Sequence, residues 1–121
     1  MGTRSLTYIY DESQKVIIKM YLQFDGYPSG LGRDLAKFLK NYYDENQDKI
    51  EMEKLSGNLV SYFFLKQGDY AMLISPFCTY YCCQEWEYHI YSDKVRIEGD
   101  DIEFEADWRN DDFEEFCKNS E

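Results

Sequence analysis

The sequence predicts a single α+β domain, a mainly antiparallel sheet of about five to six strands with helices packed on one face. Three observations carry this. Runs with a period of two lie near both ends of the chain, and a block with helical spacing lies between them. The 121 residues, 44% hydrophobic and 31% charged, are one domain's worth of material with enough apolar mass for a core. The resulting order is β-β-α-α-β-β-β-β-α over residues 1–121. Strands segregated from helices argue against a doubly wound parallel sheet.

Ser5 to Tyr10 reads as the first strand and Lys15 to Phe24 as the second, joined by the polar turn Asp11-Glu12-Ser13-Gln14. In the second strand, Val16, Ile18, Met20, Leu22 and Phe24 fall on one face. Lys15, Ile17, Lys19, Tyr21 and Gln23 fall on the other. A wholly apolar face opposite a mixed one describes a sheet buried on one side.

Asp25 to Gly30 is turn chemistry, with Ser29 as the expected N-cap of a helix. Leu31, Leu35, Phe38, Leu39 and Tyr42 then recur at helical spacing. Asn41 to Lys54 is polar and acidic and reads as a loop with a short helix. Leu55, Leu59, Tyr62 and Phe63 predict a second helix ending near Gly68. Tyr70 to Ile74 reads as a strand and Ser75 to Cys83 as a loop containing Pro76. Glu85 to Tyr91, Lys94 to Glu98 and Ile102 to Glu105 read as three more strands separated by short turns. Asp111 to Lys118 predicts a terminal helix burying Phe113, Phe116 and Cys117.

The charge balance of 13 basic against 24 acidic residues gives −11. No basic stripe is present, so direct nucleic-acid binding and attachment to an anionic membrane are not expected. No apolar run reaches the roughly 18 residues of a membrane span, and Met1-Gly2-Thr3-Arg4-Ser5 carries no apolar signal region. The expectation is a cytoplasmic protein with free thiols. Cys78, Cys82 and Cys83 with His89 lack the paired knuckles of a structural zinc site. No metal and no cofactor is expected.

The stretch that reads as a site is Gln23-Phe24-Asp25-Gly26-Tyr27-Pro28-Ser29-Gly30-Leu31-Gly32-Arg33. A strand enters a glycine-rich turn that opens a helix, an arrangement that suits an anion. Gln23, Asp25, Gly26, Tyr27, Ser29 and Gly30 would form the ligand site, with Arg4 and Arg33 as charge partners. Tyr8, with other tyrosines of the sheet, would supply a stacking surface. The same glycines and proline also serve any tight strand-to-helix turn. The string is neither a Walker A loop nor a dinucleotide fingerprint. No catalytic set emerges, because the chain has a single histidine, His89.

Met1-Gly2-Thr3-Arg4-Ser5-Leu6-Thr7 and Tyr21-x-Gln23-Phe24-Asp25-Gly26-Tyr27-Pro28-Ser29-Gly30 together resemble a family of small uncharacterised proteins. Its members, from bacteria, phages and large DNA viruses, begin MGTRS and carry a QxDGYPSG string. Glu85-x-Glu87-Tyr88-x-Ile90-Tyr91 resembles their C-terminal strand. The resemblance implies a shared fold and, by association, a role in host–virus conflict. Relatives often have histidine where this chain has Leu31.

Three functions follow as expectations. The first is a non-enzymatic binding protein for a small anionic or nucleotide-like ligand. The second is an acidic inhibitor, or nucleic-acid mimic, docking on a basic host protein. The third is a small hydrolase using Asp25 or Glu85.

Overall fold

The computed structural model describes residues 2–47, 49–75 and 83–120. Six strands form one sheet: β1 (Ser5–Tyr10), β2 (Val16–Leu22), β3 (Ala71–Ile74), β4 (Trp86–Ile90), β5 (Val95–Gly99) and β6 (Ile102–Ala106). Their order across the sheet is β3-β2-β1-β4-β5-β6. Every neighbouring pair is antiparallel except β1 and β4, which run parallel. The α+β architecture and the sequence order of elements are as the patterns predicted.

Three helices complete the domain: α1 (Arg33–Asn46), α2 (Met52–Gln67) and α3 (Asp112–Lys118). In α2, Met52, Leu55, Ser56, Leu59 and Phe63 are buried, which is one continuous helical face. The helix stops at Gly68, whose φ of 58° takes the chain out of the right-handed region. The core joins Leu35, Leu39, Leu55, Leu59 and Phe63 of the helices to Ile9, Met20, Leu22, Tyr88, Ile90, Val95 and Ile97 of the sheet. From Ile18 to Leu22 the alternation read in the second strand is the one observed, with Ile18, Met20 and Leu22 on the core side, but a β-bulge sets Val16 opposite Tyr10, and Ile17, expected on the other face, also packs against the core. In α3, Phe113 and Cys117 are buried, and Phe116 stacks on Phe104 of β6 with ring centroids 3.8 Å apart.

Two local expectations fail. Asn41 to Lys54 is mostly helical: α1 continues to Asn46 and α2 begins at Met52. Tyr42 and Tyr43 pack against the core and hold this polar stretch in a helix, so tertiary contact overrides composition there. Ser29 is also not an N-cap. Pro28–Gly32 forms a π-helical turn entered from Tyr27, with no side-chain cap, and α1 starts only at Arg33. Pro76, Cys78 and Cys82 lie outside the described residues.

Candidate functional site

The glycine-rich turn is wedged between β1, β4 and α3. The Gly26 N–H donates to the Thr3 carbonyl at 2.9 Å, Gly30 to Tyr27 at 3.0 Å and Leu31 to Asp25 at 2.7 Å. The Gly32 N–H reaches the Tyr27 carbonyl at 3.4 Å, and that of Arg33 goes to Gly30 and Pro28. These amides are spent inside the fold, and an anion cradle on the turn would need them free.

Close packing explains the glycines. A Cβ on Gly26 would lie 2.7 Å from the Thr3 carbonyl oxygen and 2.8 Å from Ser5 Cβ. One on Gly30 would lie 2.7 Å from the Asp25 carbonyl oxygen, and one on Gly32 2.7 Å from Cys117 Sγ. The buried Tyr88 hydroxyl rises from the sheet to donate to the Gly26 carbonyl at 2.6 Å. The Gln67 side chain clamps Phe24, its Nε2 donating to the Phe24 carbonyl and its Oε1 accepting from the Phe24 N–H.

The other expected site residues lie apart from one another. Arg4 Nε donates to the Cys83 carbonyl at 3.3 Å. Gln23 Oε1 accepts from the Tyr21 hydroxyl at 2.6 Å. Asp25, with φ at 60°, accepts from the Tyr27 hydroxyl at 3.3 Å. Its carboxylate charge raises the Tyr27 phenol above the usual tyrosine range. Arg33 lies at the start of α1, where its charge opposes the rise of the Cys117 thiol, which burial pushes up to about 12. Tyr8 stands on the helix-free face of the sheet, away from the turn. Its ring is stacked on His89 at 4.6 Å, so that ring face packs against an imidazole.

Tyr27 and Ser29 do meet in a cavity. A cleft of about 610 Å³ opens where the turn faces the start of β4 and the β5–β6 hairpin. Its apolar lining is Tyr27, Pro28, Trp86 and Ile102. Thr3, Ser29, Gln84 and Ser120 supply hydroxyls and an amide, while Glu85 and Asp100 supply charge, both negative. Among the described residues, no lysine or arginine lines it. Gly99 lets the Trp86 ring lie against the backbone, because a Cβ there would sit 2.5 Å from the ring. The hairpin that carries Asp100 turns through two residues of positive φ, Asp100 at 48° and Asp101 at 61°. Glu85 was legible as a candidate; Trp86 and Asp100 were missed, because only folding brings the hairpin beside the turn.

A second cluster lies on the helix-free face. Glu87 and His89 project from β4, and Arg96 and Glu98 from the register positions opposite on β5. His89 Nε2 is 3.1 Å from Glu87 Oε1 and 3.8 Å from Glu98 Oε2. The His89 Nδ1 lies 2.7 Å from the Tyr10 hydroxyl. The His89 hydrogen bond, seconded by one from Gln84, holds the Glu87 carboxyl below the usual range. Burial, seconded by the Tyr91 hydroxyl, raises the Tyr10 phenol far above its usual value.

Comparison with known proteins finds no matching family model, no matching curated protein and no matching solved structure. Among the described residues, no helix is long and apolar enough to cross a membrane.

Proposed function

We propose that the protein is a non-enzymatic binding module whose cleft holds a small organic cation, an amine or a guanidinium. One observation carries this reading: the cleft combines the rings of Trp86 and Tyr27 with the carboxylates of Glu85 and Asp100 and, among the described residues, has no basic lining side chain. Aromatic faces and carboxylates attract the same ligand charge. The ligand site expected on the turn is thereby narrowed to Tyr27 and Ser29, and the favoured charge is reversed. An anionic or nucleotide-like ligand would draw on the turn amides, of which those of Gly26, Gly30, Leu31 and Gly32 are internally bonded, or on a cation in the lining. Binding is favoured over hydrolysis because Glu85 and Asp100 are both exposed. A general acid needs a carboxyl set in apolar surroundings.

The test is a titration of the whole protein with agmatine, which carries both an amine and a guanidinium, followed by the NMR signal of the Trp86 indole N–H. Saturable movement of that signal is expected, weakening as salt is added. At least tenfold weaker binding is expected in Asp100→Asn. Saturation by a nucleoside monophosphate in place of agmatine, or by neither, refutes the reading.

A further inference from the structure

The helix-free face carries a group of side chains that the cleft does not use. We propose that Glu87, His89 and Glu98 bind one divalent transition-metal ion of the zinc type, through His89 Nε2 and one oxygen of each carboxylate.

The geometry comes from the sheet. Glu87 and Glu98 are directly opposite each other on antiparallel strands. Like charges in that register repel and call for a positive charge between them. His89 Nε2 stands between the two, and the three ligand atoms all lie within 4.8 Å of one another. An ion with bonds of about 2.0–2.2 Å to nitrogen and oxygen reaches all three after small rotamer shifts. One imidazole with two carboxylates suits zinc, manganese, iron or cobalt better than magnesium or calcium. Further coordination positions would be left to water.

Glu87 and His89 are also held from behind, as metal ligands are. Gln84 Nε2 donates to Glu87 Oε2 at 2.9 Å, leaving Oε1 turned towards His89. The Tyr8 ring lies nearly parallel to the imidazole, at 8°, and fixes its plane. The imidazole is 8% exposed, while the Glu87 and Glu98 side chains are 29% and 35% exposed, which leaves the carboxylates open to an entering ion.

The Tyr10 hydroxyl suits both states. In the tautomer with its proton on Nε2, the imidazole donates to Glu87 Oε1 and accepts the Tyr10 hydroxyl at Nδ1. With metal on Nε2, the imidazole proton sits on Nδ1 and donates to the hydroxyl oxygen. The exchange moves one proton within the ring and reverses one hydrogen bond.

Two cations already face the cluster. Arg96 Nη1 is 3.0 Å from Glu98 Oε2, and Lys19, from β2, also lowers the Glu87 carboxyl. The entering ion must displace Arg96, which has Glu105 directly opposite it on β6 as an alternative partner. This competition makes the proposal specific.

The test is calorimetric titration of the full, reduced chain with Co2+ and Zn2+, with the Co2+ absorption spectrum as a second readout. Saturable binding of one ion is expected, with a spectrum lacking the thiolate charge-transfer band. Binding should weaken at least tenfold in His89→Gln and in Glu98→Gln, the latter a half-buried side chain outside the core whose isosteric replacement should leave the fold intact. It should tighten in Arg96→Gln, because the competing guanidinium is gone. No saturable binding, binding unchanged in Glu98→Gln, or a thiolate band pointing to the cysteines would overturn the proposal.

Discussion

Placing a methyl group at Gly32 tests whether the glycine-rich turn is a packing solution. Gly32 has φ −57° and ψ −44°, which alanine adopts freely, so the backbone change alone would stabilise by about 0.4–1 kcal/mol. The new Cβ, however, would lie 2.7 Å from the sulfur of Cys117, a residue with no solvent exposure. Overpacking of that kind costs about 1–3 kcal/mol. Gly32→Ala should therefore destabilise by about 1–2 kcal/mol net. Cys117→Ala alone should cost about 1 kcal/mol for the lost buried sulfur. With the sulfur gone, the nearest atoms to the new methyl are Cys117 Cβ and Pro28 Cβ, both at 3.5 Å, ordinary contact distance. The methyl then fills the space the sulfur left. The double variant should lie within about 0.5 kcal/mol of the parent, a favourable coupling of about 2 kcal/mol. Urea unfolding of the four proteins measures it. Additivity within about 0.5 kcal/mol, or a stabilised Gly32→Ala, refutes the packing account.

Other expectations follow from single bonds. Tyr88→Phe leaves the buried Gly26 carbonyl without its 2.6 Å donor and should cost about 1–3 kcal/mol in urea unfolding. Among the described residues, the Thr7 hydroxyl is buried without a hydrogen-bond partner. Thr7→Val should accordingly raise stability by about 1 kcal/mol, and a fall would mean a hidden partner. Arg109 holds the Asp107 carboxyl below its ordinary value of 3.8, chiefly by a side-chain hydrogen bond. A depressed folded pKa stabilises above the unfolded value, and that stability is lost as pH falls through the folded one. Stability should drop below about pH 4 by well under 1 kcal/mol from this pair, since the carboxylate is partly in solvent. Asp107→Asn should remove that fraction of the acid slope in a pH series of melting curves.

The alternation of Ile18, Met20 and Leu22 against Lys19 and Tyr21 was legible because neighbouring side chains on a strand point to opposite faces. The same logic located α2 from Leu55, Leu59 and Phe63 and ended it at Gly68. Net charge and the lack of a basic stripe were likewise readable without coordinates. Local pattern failed where a long-range contact decided the outcome. Paired and unpaired turn amides have the same sequence, so the internal bonding of Gly26, Gly30, Leu31 and Gly32 was visible only in the fold. Thr3, Tyr88 and Cys117 are distant in the chain from the glycines they crowd. His89 looked like an isolated strand histidine. Only the pairing of β4 with β5 and, in parallel, with β1 sets it between Glu87 and Glu98 and beside Tyr8 and Tyr10. Periodicity records which way a side chain points from its own element. Strand register, fixed by burying the whole core at once, determines which side chains it meets.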